Sequence, residues 1–145
     1  MRNEDKYDET IQQHAKANRL DWLKIKAQIK QESAFDPNAV SRVGAQGLGQ
    51  FMPRTWDEWG RGDDPFDAEA NILATCRYMR WQLDRFNQDW EKALAAYNWG
   101  IGNVRKQVAK LGEGWKAGLP YETSHYIEQI KKFYVEYARS SPRAA

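Results

Sequence analysis

Apolar residues recur at steps of three and four in every long segment of this chain, and no stretch of useful length alternates apolar with polar. That pattern predicts helices and leaves no strands from which to build a sheet, so the expected fold class is all-α. The first helix should run from about Lys6 to Asn18, with Tyr7, Ile11 and Ala15 facing inward. Asp21 can cap a second, about Trp22 to Ser33. In it Trp22, Ile25 and Ile29 form the stripe, while Lys24, Lys26, Gln28, Lys30 and Gln31 take the other side.

Pro53 suits the first turn of a short helix holding Thr55, Trp56 and Trp59 and ended by Gly60. Asp67 can cap a long helix to about Phe86, buried along Ile72, Cys76, Met79, Leu83 and Phe86. Another begins near Asp89 and carries Leu94, Ala95 and Tyr97 before Asn98 and Gly100 stop it. Val104, Val108 and Leu111 mark the next, closed by Gly112 and Gly114. A loop with Trp115 and Pro120 then leads to a last helix, about Tyr121 to Arg139, striped by Tyr126, Ile130, Phe133, Tyr134 and Tyr137. No repeat or linker divides the 145 residues, so one domain over 1–145 is expected, with a disordered tail at 140–145.

The stripe of the second helix contains an anomaly. One step beyond Ile29 its next inward position is Glu32, where a hydrophobe belongs. A buried Glu can be structural, paired with a Lys or Arg or turned out to solvent at a helix end. It can also be a general acid, because desolvation disfavours the ionised form and raises the pKa. The residues after Glu32 favour chemistry. A turn at Asp36-Pro37-Asn38 leads to Ser41, then Gly44, Gly47 and Gly49 punctuate a segment ending at Gln50. Short polar groups and glycines of this kind suit a loop folded closely over the end of the Glu32 helix.

Other features narrow the options. A net charge of +2 with mixed signs does not provide the concentrated basic face of a nucleic-acid binder. The mild basic cluster of Arg105, Lys106, Lys110 and Lys116 reads as a solvated helix face. Cys76 is alone, which excludes an intramolecular disulfide, and it lies on a core stripe. His14 and His125 have no partners at metal-ligand spacing, so neither metal nor cofactor is expected. The seven Trp and seven Tyr are expected mainly in the core, with some lining a groove where sugar rings stack. MRNEDKYDET lacks the apolar run of a signal peptide and no segment is a membrane span. A monomer without membrane insertion, made in a cytoplasm and delivered by other means, is expected.

The run Glu32-Ser33-x-Phe35-x-Pro37-x-Ala39-x-Ser41, then Gly44-Ala45-x-Gly47-Leu48-x-Gln50-x-Met52-Pro53, resembles the signature of SLT-type lytic transglycosylases. Ala95-Ala96-Tyr97-Asn98-Trp99-Gly100 resembles a second family motif, and Glu122-Thr123-x-x-Tyr126 a third. The three occur in family order and cover about 21–133 of a motif-bearing core at about 21–139. The resemblance implies a lysozyme-like helical domain related to goose-type lysozyme, with a substrate groove. It implies cleavage of the β-1,4 bond between N-acetylmuramic acid and N-acetylglucosamine in peptidoglycan strands, yielding a 1,6-anhydromuramoyl end. By the same resemblance Glu32 is the single catalytic acid and base, and Ser41, Gln50, Met52, Tyr97, Glu122 and Tyr126 surround the sugar. Asn98 reads as a structural helix stop.

One position departs from the family pattern. Gly49 stands where a Met is usual, so an apolar lid over the sugar is missing or supplied by a neighbour such as Phe51. A hydrolytic muramidase of the same fold and a non-catalytic glycan-binding or virion module remain alternatives. So do three settings: a phage lysin passing through a holin, a virion protein that pierces the wall, and a bacterial enzyme exported by a secretion apparatus.

Overall fold

The computed structural model describes residues 3–140, and most of that span is helical. The helices are α1 (Asp8–Ala17), α2 (Trp22–Ser33), α3 (Pro53–Trp59), α4 (Ala68–Arg85), α5 (Trp90–Trp99), α6 (Ile101–Leu111) and α7 (Tyr121–Ser140). Among the described residues the extended pairing amounts to isolated bridges, Val40 with Gln46 and Gln46 with Phe51. The expected tail lies outside the described residues from 141 onward.

Capping chemistry sets the helix starts. Asp21 accepts from the Leu23 N–H at 3.0 Å, Asp67 from Ala70 at 2.9 Å and Asp89 from Lys92 at 3.1 Å. Pro53 occupies the first turn of α3, where its missing N–H costs nothing. The α2 helix stops abruptly, with Ala34 and Phe35 both left-handed at φ 50° and 64°. The chain therefore folds back directly after Glu32 and Ser33.

Helix α2 lies along α7, and α1, α4 and α5 close round them. The interior is built from Ile11 and Ala15 of α1, Ile25 and Ile29 of α2, Ile72, Cys76 and Met79 of α4, and Ile127 and Ile130 of α7. Phe51, Trp56 and Ala74 form a smaller cluster beneath α3.

The structure corrects the sequence reading in three places. A 3-10 turn at Asn3–Asp5 precedes α1, which starts at Asp8. The loop expected around Trp115 is a 3-10 helix, Gly112–Gly118, that buries the indole. Most consequentially, Lys26 and Gln28 are interior: 4% and 0% exposed. Burial on one side was expected for α2, but α7 and the segment from Glu4 to Asp8 also press on its supposed outer face, as the Lys26 and Lys30 ion pairs with Glu4, Asp5 and Asp8 show.

Candidate active site

The left-handed turn after α2 leaves Glu32 at the helix end, facing α7. Tyr126 of α7 donates its hydroxyl proton to Glu32 Oε2 at 2.7 Å. Glu32 as a residue is only half-buried, but its carboxyl is desolvated. Burial is the largest influence, and it pushes the carboxyl up to about 8 from an ordinary 4.5. The Tyr126 hydrogen bond pulls downward and the negative charge of Glu122 pushes upward. Among the described residues no Lys, Arg or His forms a salt bridge with Glu32. Burial and the Glu32 charge hold the Tyr126 and Tyr97 phenols well above their usual range, so both stay protonated donors.

The loop opposite is fixed by a polar hub on α4. Asn71, 0% exposed, accepts from the Gly49 N–H at 2.7 Å and donates to the Pro65 carbonyl at 2.9 Å. Tyr97 donates to the Gly49 carbonyl at 2.7 Å. Gly49 is thus held on both sides of its Cα, and a Cβ there would stand 2.2 Å from Thr75 Oγ1 and 2.8 Å from the Tyr97 hydroxyl. Close approach, not backbone conformation, demands glycine, because Thr75 fills the space into which a side chain would point. Phe51 lies against the same small cavity as Gln50, Met52 and Tyr97, with most of its ring packed inward. It is 2% exposed, with ring centroids of Trp56, Tyr78 and Tyr97 at 5.2, 5.9 and 5.9 Å.

The other expected site residues divide between groove and loop. Gln50, at φ 53°, Met52, 42% exposed, and Tyr97 line a small cavity of about 60 Å³ with Thr55 and Tyr78. The Gln50 amide donates to the Gly47 carbonyl at 3.0 Å and to the Ala39 carbonyl at 3.2 Å. It therefore shapes the loop as well as facing the groove. Ser41 accepts from the Ala45 N–H at 3.0 Å and closes the turn through Gly44. Glu122 is exposed in the first turn of α7, one turn before Tyr126. Asn98 accepts from Thr123 at 2.9 Å and ties α5 to α7.

Sequence reasoning missed Asn71, Thr75 and Tyr78. The signal was present: Asn71 and Thr75 are polar residues spaced i, i+4 beside the apolar line Ile72, Cys76 and Met79. Together the site offers a proton-bearing carboxyl with two neutral phenols beside it, one of which, Tyr97, lines the small cavity. That arrangement can protonate a leaving oxygen.

Comparison with known proteins places the chain in a family. Residues 9–117 match the Transglycosylase SLT domain family. Membrane-bound lytic murein transglycosylase F of Shewanella woodyi is 34% identical, with 94% of this chain and 30% of that protein aligned. Membrane-bound lytic murein transglycosylase D of Escherichia coli is 33% identical over 68% of this chain and 24% of its own length. The structure of an inactive mutant of lytic transglycosylase Slt from Pseudomonas aeruginosa superposes with a TM-score of 0.85 at 30% identity, covering 96% of this chain and 25% of that one. The chain thus spans roughly a quarter to a third of the length of these proteins. No described helix is long and apolar enough to cross a membrane.

Proposed function

The chain belongs to the SLT transglycosylase family, and on that premise we propose that it cleaves peptidoglycan by lytic transglycosylation with Glu32 as its single acid and base. The observation that carries this reading is the desolvated Glu32 carboxyl, raised to about 8, with the neutral Tyr126 phenol donating to it. At neutral pH such a group holds its proton and can release it to a leaving oxygen.

The substrate is a glycan strand at its β-1,4 bond between N-acetylmuramic acid and N-acetylglucosamine. Glu32 protonates the bridging oxygen as the bond from that oxygen to the muramic anomeric carbon breaks. The Glu32 carboxylate then takes the proton of the muramic C6 hydroxyl, whose oxygen bonds to the same carbon. A 1,6-anhydro ring forms, Glu32 regains its proton and no water is consumed. Tyr126 stabilises the carboxylate between the two steps, and Tyr97 with the Gly49 loop bounds the sugar site. Gln50 and Met52 lie along the groove, Ser41 shapes its wall, and Glu122 raises the proton affinity of Glu32.

A hydrolytic muramidase would give a different product. Mass spectrometry of digested peptidoglycan should find anhydromuramoyl ends; reducing muramic acid ends instead would overturn the transglycosylase reading. kcat/KM should fall as pH rises through about 8, where free Glu32 loses its proton.

A further inference from the structure

Helix α4 carries two stripes. Ile72, Cys76 and Met79 lie in the core, with Leu83 packed against it. Ala74, Tyr78, Trp81 and Arg85 follow one another at steps of four, three and four, so they share a different face. Ala74 is buried beneath α3 with Phe51 and Trp56. Beyond it Tyr78 and Trp81 are half-buried and Arg85 is exposed. Tyr78 joins this face to the active-site cavity, which it lines beside Tyr97 with the two ring centroids 5.2 Å apart. Its ring also meets Trp59 of α3 at 5.1 Å and Trp81 at 6.3 Å, and the two indoles meet at 5.9 Å. Neither indole lines the cavity.

The tryptophans here differ in what their N–H groups do. Trp56 is interior and donates to the Asp63 carbonyl at 2.7 Å. The N–H groups of Trp59 and Trp81 have no acceptor among the described residues and are not enclosed, so they face solvent. The Arg85 guanidinium lies over the Trp81 ring at 4.2 Å, and among the described residues no carboxylate pairs with it. Packing α3 on α4 needs only apolar bulk, which Phe51, Trp56 and Ala74 supply. Half-buried rings with open donors suit a sugar strand, whose C–H faces pack on aromatic rings while its hydroxyl and acetamido oxygens accept N–H bonds.

We propose that Tyr78, Trp81 and Trp59 form a glycan-binding platform that takes the peptidoglycan strand where it leaves the cavity. A β-1,4-linked strand advances per sugar by about the length of one ring-to-ring step in this row. Sugars beyond Tyr97 therefore meet Tyr78 and then the indoles, and Arg85 faces the carboxylates of the stem peptides. The platform lies outside the reacting sugars, so it governs affinity for the strand and not the bond-breaking step. The inference rests on the proposed glycan substrate.

The test titrates the full chain with chitohexaose, a β-1,4-linked N-acetylglucosamine oligomer, in a Glu32→Gln variant so that no cleavage intervenes. In NMR the indole N–H signals of Trp59 and Trp81 should shift together with the Gly49 amide. That of Trp90, packed on Tyr134 of α7, should stay still. Adding Trp81→Leu should weaken binding about tenfold, whereas Trp81→Phe, which restores a flat ring, should stay within about threefold. With Glu32 in place, Trp81→Leu should raise KM on peptidoglycan about tenfold while kcat holds. Trp59 and Trp81 signals that stay still overturn the proposal, whether or not Gly49 moves. So does a Trp81→Phe variant that binds as weakly as Trp81→Leu. Should the Trp81 variants fold poorly, the titration with both indoles intact still decides. If the parent protein makes no cleavage product, the proposed function fails while the chitohexaose titration still judges the platform.

Discussion

Helix α2 carries two ionisable side chains about 9 Å apart along its axis, Lys26 in its N-terminal half and Glu32 at its C-terminal end, and treats the two in opposite ways. Lys26 is 4% exposed and meets Asp5 at 2.7 Å and Asp8 at 2.8 Å, with the Tyr137 ring 4.7 Å away. Burial alone would lower its pKa, but the two carboxylates outweigh burial and the net shift is upward, toward the charged form. Among the described residues Glu32 receives no cation but a phenol proton and a nearby carboxylate, and its shift is toward the neutral form. A compensated buried charge pins the segment from Asp5 to Asp8 against α2. An uncompensated one stores a proton. The difference separates a structural ion cluster from a site better than burial does, since by residue Lys26 is the more buried.

The contrast yields a ranked set of measurements. Glu32→Gln should lower kcat about 10²–10⁴-fold, the range of a lost general acid, and should also stabilise the fold. Between an ordinary 4.5 and about 8, the unfolded chain has released a proton that the folded chain retains. Stability therefore falls as pH rises through that window, by about 1.4 kcal/mol per unit. The variant should match the parent near pH 4 and exceed it by about 3 kcal/mol at pH 7. Urea unfolding at both pH values reads the gap, and a gap independent of pH would break the contrast.

Lys26→Met should do the reverse, losing about 2 kcal/mol because two salt bridges vanish while their carboxylates keep some solvent. The raised Lys26 pKa means this contribution is fully present at neutral pH and is lost only as pH rises past its ordinary 10.5. The pH profile of cleavage should not move; a displaced profile would mean that the two ends of α2 are not independent. The smallest effect is expected from Glu122→Gln. Removing that charge should lower the Glu32 pKa and shift the alkaline limb of kcat/KM down by less than about one unit. An upward shift would show that Glu122 does not press on Glu32.

Much of this site was legible before any coordinates. The step from Ile29 to Glu32 placed a carboxyl on an apolar stripe, and the helices formed close to where periodicity put them. The Tyr126 bond was not legible from pattern, since the partners lie 94 positions apart and meet only because α7 runs along α2. Lys26 and Gln28 were assigned to the surface because a stripe describes one buried face, whereas α2 is covered on more than one. Why position 49 is a glycine was not legible for a similar reason: Thr75, which fills the space a side chain there would need, comes from another helix.

The sequence by itself determined the all-α class, the order and approximate extent of the α-helices, and the acid on the inward stripe of α2. These arise from local spacing and capping, which act over a few residues. Only the tertiary structure decided which buried polar groups found partners. It gave Lys26 two carboxylates, left the Gln28 amide open and set a single phenol proton on Glu32. Desolvation and pairing depend on what distant segments bring to one point, and no local pattern encodes that.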